Sequence, residues 1–595
     1  MTFSEFCQYL QKLEETSSRL EMTAQLAELF GKLQTNEISS ACYLMQGRLV
    51  PTYHSLEFQI SDKLIIKALG KILTCVSPEE KSLATGLFDQ SDNSQFQEKI
   101  KKSYQQLGDL GLVVVELLSE HLTDHRQSIM EVYEQLRVIA TDGGEGSQDR
   151  KVDDTAKLLQ SVDATSAKFI VRIVLGKVRL GFSTMTMIDA LSWSVYQDKS
   201  DSAKIEEAFQ KKADIGLLAK GYLGASTSQE REQFLQTYQL EVGVPVLPAL
   251  CQRLNSAQEI LEKMGKVIAE PKYDGLRAQI HLNKASASEP LQVFTRSLEN
   301  VTHMFPEVSQ FLSQINANEC IFDAEAIGYD PATDQLLAFQ QTITRKRKHN
   351  IQKQSDSTPI RFYLFDLLFV DGISLIDKPL QERRKFLEKI VAPNETIQPT
   401  PMLVTSDANE LHDFHTQQLA EGLEGAVIKG ADSLYRAGRK GWRWVKIKEK
   451  EGERGKLSDS LDCVVMGYYR GKGKRVKFGL GAFLVGVMAE DGLIKTIAKI
   501  GTGLTDDQFY ELKTRADKLL AQTQPAQYDV PKELFPDVWL QPQLVVEVAA
   551  DELTTSPLHS AGKALRFPRL IKFRDDKTVE QITSVSELQE IVVGK

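Results

Sequence analysis

The hydrophobic period of this chain changes near residue 240, and that change limits its fold more than any other feature. Before it, stretches such as CQYLQKLEETSSRLEMTAQLAELFGKL, residues 7–33, repeat apolar residues at three- and four-residue steps, the spacing that lines one face of a helix. Gly31 marks an expected helix stop, and TDGGEGSQDRKVDD, residues 141–154, reads as a mobile loop. After the change, Gly243, Pro245 and Pro248 punctuate EVGVPVLPALCQRL, and short alternating segments such as LQVFTRS, CIFDAEAIGYD and RFYLFDLLFVDG read as strands. Helices such as LQERRKFLEKIV lie between them.

A charged connector, KEKEGERGKLSDS, precedes LDCVVMGYYRG, AFLVGVMAEDG, LIKTIAKIGTG and LVVEVAADELT, short strands set apart by glycine turns that suggest a small barrel. At 595 residues the chain exceeds one core, since single cores stop growing near roughly 250 residues. The expected class is multidomain α+β: an all-α region over 1–238, an α+β region over 239–449 and a β-barrel over 450–595.

The formal charge of -9 excludes wrapping a polyanion with the whole surface, so any nucleic-acid contact must come from local basic patches. Six cysteines without a C-x-x-C pair fit reduced thiols, and Cys320 and Cys463 sit in apolar runs as expected core residues. The N-terminal segment lacks a basic and then apolar leader, and no window reaches the roughly 18 apolar residues of a membrane span. The reading is a protein that stays where it is made, in cytoplasm or nucleoid, or in a nucleus if eukaryotic.

In VIAEPKYDGLRAQIHL, residues 267–282, Lys272 stands alone on the edge of what reads as a hairpin. An amine with a pKa of about 10.4 is almost wholly protonated near neutrality, so as a nucleophile it needs cationic neighbours or burial. WRWVKIK supplies Trp444, Lys446 and Lys448 in strand-like alternation; beside Lys272, two ammonium groups would disfavour a third charge and hold a phosphate. Amine attack on an α-phosphorus gives a phosphoramidate, and that chemistry wants carboxylates for Mg²⁺ (or Mn²⁺). Glu325 and Glu424, at strand-turn boundaries, are the candidates; Phe365 could stack on a base and Glu270 could accept from an adenine amino group. Taken singly, the two glutamates read as surface carboxylates and Phe365 as core.

Six segments in order change that weighting: KYDGLRAQ, FTRSLENVT, FDAEAIGYD, FYLFDLLFVDG, EGLEGAVIK and WVKIK. They look like motifs I, Ia, III, IIIa, IV and V of the covalent nucleotidyltransferases. Downstream, KIGTGLTDDQF, VVEVAADELTTSPLHSAG and LRFPRLIKFRDDK resemble the oligonucleotide-binding barrel and motif VI of ATP-dependent DNA ligases. Upstream, QLGDLGLVV and AKFIVRIVLGKVRLGFSTMTMIDAL resemble the helical DNA-binding domain of the archaeal and eukaryotic replicative type, so the resemblance spans nearly the whole chain.

The resemblance implies an enzyme that seals nicks in duplex DNA during replication, repair and recombination. Lys272 becomes lysyl-AMP at the expense of ATP, the AMP passes to the 5′-phosphate, and the 3′-hydroxyl displaces it. It further implies that Glu270 reads adenine, Phe365 stacks on it, and Arg277 and Arg296 bind ribose or phosphate. Glu325 and Glu424 serve the metal or ribose, and Lys446 and Lys448 grip the α-phosphate. In motif VI, Arg566 and Arg569, with Asp576 and Lys577 nearby, orient the pyrophosphate. Leu504 and Asp575 depart from the usual pattern without removing a charge.

For DNA, the resemblance implicates Lys168, Arg172, Lys177 and Arg179, with backbone N–H groups at the Gly181 turn. The basic runs TRKRKHNIQK, YRAGRKGWRWVKIKEK and RGKGKRVK add patches that would let an acidic protein encircle a duplex. The implied partner is nicked double-stranded DNA, bound by a monomer, with recruitment by a sliding clamp left open. Three alternatives compete: an RNA-capping guanylyltransferase, an NAD⁺-dependent ligase and a non-catalytic DNA clamp. The long helical region and the RFPR ending disfavour the first. The absence of a four-cysteine zinc module disfavours the second, and the retained lysines and glutamates the third.

Overall fold

The computed structural model describes residues 1–76, 91–337, 359–438, 441–447 and 460–588. The chain forms two compact units, one of Met1–Ser61 with Thr123–Gly452 and one of Asp62–Leu122 with Glu453–Lys595. No helix among the described residues is long and apolar enough to cross a membrane.

The first unit begins with a helical bundle. Its helices start where a hydroxyl and a glutamate can satisfy orphan N–H groups: Thr2 with Glu5, Ser128 with Glu131 and Thr227 with Glu230 all form capping boxes. Gly31 does not stop its helix, which runs Arg19–Lys32. The expected loop over 141–154 is also mostly helix, because Ser147–Gln160 forms from Gly146 onward. Arg150 clasps Asp142 at 2.7 Å and Lys151 donates to the Phe58 carbonyl at 2.8 Å, so charges within the expected loop hold this helix in place.

Beyond residues 243–249 come two sheets. The first has the order β1 (Gln252–Arg253), β11 (Trp444–Ile447), β10 (Ala426–Gly430), β2 (Val267–Pro271), β9 (Leu403–Thr405). One face, carrying Val267, Ala269, Ala426, Ile428, Val445 and Ile447, packs with Ala257 and Ile260 of the helix Ala257–Met264 and Leu411 of Ala408–Ala420. The second sheet has the order β4 (Leu291–Thr295), β3 (Leu276–Asn283), β5 (Glu319–Gly328), β6 (Ile360–Val370), β7 (Ile373–Ser374), with β8 (Ile397–Pro399) on β6. Ala278, Ile280 and Leu282 of β3 point into its core with Phe322 and Phe362, and Cys320 is fully buried there.

The hairpin expected around Lys272 is absent. Strand β2 already has β9 and β10 on its edges, and β3 has β4 and β5, so the turn Lys272–Gly275 carries the chain from one sheet to the other.

The second unit contains the expected β-rich C-terminal region, built on the strands Leu461–Tyr469, Ala482–Met488 and Ile494–Ile500 paired antiparallel in sequence. Cys463 is fully buried in its core, against which Leu504 packs. Gly467 is required inside the first of these strands: a Cβ there would lie 2.6 Å from both the Val538 carbonyl oxygen and Pro536 Cγ.

Candidate active site

Lys272 follows β2 on the strand's inward row, two residues beyond Glu270. Its N–H donates to the Gly425 carbonyl at 2.9 Å and its carbonyl accepts from Glu424 N–H at 3.2 Å, extending the β2–β10 ladder by one step. Gly425 makes this turn at φ +119°, a backbone region that favours glycine. The same pairing brings the Lys272 ammonium onto the Glu424 carboxylate, each about one-fifth exposed.

Register then lines up the rest of the face. Glu270 lies opposite Val427, Val427 opposite Lys446, and Lys446 opposite Arg253, so these four side chains form one row across four strands. The sequence leaves open whether the Lys446 strand lies beside Lys272; in the structure β10 stands between them, because Ala426–Lys429 pairs with β2 on one edge and β11 on the other. Lys448 and the TRKRKHNIQK run lie outside the described residues.

Glu270 is 2 % exposed and donor-rich in its surroundings: the Lys429 ammonium lies 2.6 Å from Oε2, and Arg384 lies 3.7 Å from Oε1, which has no hydrogen-bond partner among the described residues. Lys429 went unassigned in the sequence. Its amine sits 4.3 Å from the ring centres of both Phe365 and Trp444, a cation between two aromatic rings. Phe365 meets Trp444 edge-on at 5.9 Å and is half-buried, neither wholly core nor free surface.

On the second sheet, Glu325 lies within the electrostatic reach of Lys272, Arg277 and Asp274. Burial pushes its carboxyl up to about 7, opposed by the charges of Lys272 and Arg277. Gly275 leaves room for Glu325, since a Cβ there would stand 2.6 Å from the Ala326 carbonyl oxygen and 2.9 Å from Glu325 Cγ. Arg277 is held by Asp323 Oδ2 at 2.6 Å and by the Ala249 carbonyl at 2.6 Å. Arg296, after β4, is exposed.

Glu424 pairs with Lys272 and Glu325 lies within its electrostatic reach, carboxylates of the kind that suit Mg²⁺, which takes one or two carboxylates and keeps its waters. No group of three or more histidine, cysteine, aspartate or glutamate side chains able to cage a metal occurs among the described residues.

The remaining candidates divide. Lys168 and Arg172, expected on a DNA-facing helix surface, are 4 % and 2 % exposed. Both pair with Glu14 of the helix Phe3–Glu15 at 2.9 Å, and Lys168 also contacts Gln11. The whole span Ser166–Val174 is buried, so the helix has no solvated face and these cations are internal counter-charges. Lys177 is exposed and Arg179 half-buried in the following turn, where Gly176, Arg179 and Gly181 all take positive φ. In the second unit, Arg566 and Arg569 flank the exposed Phe567; Arg569 meets Asp551 at 2.8 Å, Asp576 meets Arg574 at 2.8 Å, Lys577 meets Asp462 at 2.5 Å, and Asp575 pairs with Arg515.

Comparison with known proteins agrees with this architecture. Family models match residues 2–192 (DNA ligase N terminus), 248–448 (ATP dependent DNA ligase domain) and 477–577 (ATP dependent DNA ligase C terminal region). The probable DNA ligase of Dictyoglomus turgidum is 37% identical over 605 residues, covering 100% of this chain and 98% of the relative. The DNA ligase of Sulfurisphaera tokodaii is 34% identical, covering 99% and 97%. A solved structure described as Pmar-Lig_Pre. shares the fold at TM-score 0.53 and 17% identity over 96% of this chain and 99% of that one. The matched regions and these relatives make the protein a DNA ligase. The chain belongs to the ATP-dependent DNA ligase family.

Proposed function

We propose that this ligase seals nicks in double-stranded DNA through AMP carried on Lys272. The observation that carries the reading is the double tie of Lys272 to Glu424 on the same sheet face that presents Glu270 and Lys446. Three segments share the work: 1–238 holds DNA, 239–449 carries adenylate, and 450–595 brings motif VI.

In the first step the Lys272 nitrogen, once deprotonated, bonds to the α-phosphorus while the bond to the pyrophosphate oxygen breaks in line. Glu424 holds the ammonium in place until nucleotide enters. Glu270 and Phe365 receive the base, Arg277 and Arg296 the ribose or phosphates, and Lys446 with Lys448 the α-phosphate; Arg566 and Arg569 orient the pyrophosphate. Mg²⁺ or Mn²⁺, held by Glu424 and Glu325, supplies charge neutralisation at the phosphates when bound. The AMP next moves to the 5′-phosphate of the nick, and the 3′-hydroxyl displaces it. Lys177 and Arg179 are the DNA contacts that the helical region retains. The protein acts as a monomer on nicked duplex in the compartment that holds the DNA.

The test is labelling with [α-³²P]ATP and, separately, [α-³²P]GTP, followed by nicked duplex. An AMP adduct on the wild type that is absent from Lys272→Ala and discharged by DNA supports the reading. A GMP adduct, or sealing by Lys272→Ala, refutes it.

A further inference from the structure

Residues 243–249, which lead from the helical bundle into the two sheets, are seated on the outer row of β3. Arg277, Gln279 and His281 alternate on that strand with the core residues Ala278, Ile280 and Leu282, so all three face the connector. The contacts are mostly with its main chain. Gly243 N–H donates to His281 Nδ1 at 3.0 Å, and Val246 N–H donates to Gln279 Oε1 at 2.7 Å while Gln279 Nε2 returns to the Val246 carbonyl at 3.1 Å. Ala249 accepts from Arg277 Nη1 at 2.6 Å and donates to the Tyr435 hydroxyl at 3.1 Å.

One carboxylate gathers these ties. Asp323, fully buried on β5 and opposite Gln279 in register, accepts from Arg277 Nη2 at 2.6 Å, the Tyr435 hydroxyl at 2.8 Å and Gln279 Nε2 at 3.2 Å. On the bundle side, Ala213 N–H donates to the Pro245 carbonyl and Leu247 N–H to the Gln210 carbonyl, at 3.1 and 3.0 Å. An unbroken chain of hydrogen bonds therefore runs from the helix ends at Gln210 and Ala213, through the connector, to the guanidinium of Arg277. A buried network of this kind holds one arrangement sharply, because each member left unpaired costs its desolvation.

We propose that Gln279 and Asp323 are positioning residues for nucleotide binding, which they serve by fixing Arg277, and that the same network makes the 243–249 connector sensitive to nucleotide. The proposal rests on the reading that Arg277 touches bound ATP. Asp323 supplies the charge that orients the guanidinium, and Gln279 locks Asp323 and the Val246 peptide in register. Nucleotide that draws on Arg277 shifts its hold on the Ala249 carbonyl, so ATP binding and the seat of the connector are linked through one side chain.

The test uses the full-length protein in single-turnover self-adenylation with Mg²⁺ and increasing ATP. Gln279→Met is expected to raise half-saturating ATP about tenfold, the worth of a lost hydrogen bond to a charged group, with the maximal rate within about twofold. Arg277→Ala raises it as well, and the double variant is no worse than Arg277→Ala alone, since Gln279 acts through Arg277. Half-saturation unchanged in Gln279→Met, or effects that multiply in the double variant, overturns the proposal. If Arg277→Ala itself leaves half-saturation unchanged, the reading of Arg277 as a nucleotide ligand fails instead. Hydrogen exchange of wild type needs no variant to fold: with a non-cleavable ATP analogue, peptides over 243–249 should change protection, and no change overturns the linkage to the connector.

Discussion

Lys272 and Glu424 are joined twice, once through the main chain, where Glu424 N–H meets the Lys272 carbonyl at 3.2 Å, and once through their charged ends. The backbone tie fixes where the side chains can meet. Glu424→Gln keeps the shape and removes the charge that faces both the amine and an incoming cation. Self-adenylation measured by AMP labelling should slow by about 10²-fold, the usual loss when one electrostatic element of a preorganised site goes.

Gly275→Ala should damage the same step from a distance. The new Cβ would collide with the Ala326 carbonyl, which cannot move without breaking the β3–β5 ladder, and would push Glu325 aside. Overpacking of this kind costs about 1–3 kcal/mol of stability, and a displacement of about 1 Å at the site is worth about 10²-fold in rate. Thermal melting and single-turnover labelling would report the two losses separately.

His281 gives the connector a pH dependence. Burial lowers its pKa from 6.5 to about 3. Between those values the unfolded chain binds a proton that the native one refuses, so stability present above pH 6.5 is lost as pH falls. At pH 5 the difference is about 2 kcal/mol. Urea unfolding at pH 8 and pH 5 should show it in wild type and a smaller fall in His281→Gln.

Glu14→Ala removes a carboxylate that two buried cations share and should destabilise the chain by about 3 kcal/mol, read by denaturant unfolding. Nick affinity should fall steeply with salt. Lys168→Met should leave that slope unchanged, whereas Lys177→Ala should reduce it by about one unit. Equal effects of the two substitutions on the slope would contradict the burial of Lys168.

The candidate site was legible where chemistry is local. Glu270 and Lys272 stand two residues apart, an alternation the sequence shows by itself; Glu424, 152 residues further on, reads singly as a surface carboxylate and becomes a candidate only through the ordered motifs. The burial of Lys168 and Arg172 could not be read, since their counter-charge, Glu14, is more than 150 residues away, and a sequence shows a cation without showing what neutralises it. The neighbour of the Lys446 strand was hidden for a related reason: alternation fixes the face of a strand but not its place in the sheet. Gly243, Pro245 and Pro248 looked like punctuation, although the segment they mark is bonded along its length to Gln279, His281 and Tyr435.

The row of Glu270, Val427 and Lys446 also acts as a ruler. Neighbouring strands stand about 4.8 Å apart, so the positions proposed to receive the base and the phosphate are separated by about 10 Å of ladder. A side-chain exchange leaves that backbone spacing as it is. A descendant of this enzyme that accepted a longer or shorter donor would have to change how far its side chains reach, because the backbone beneath them keeps its spacing.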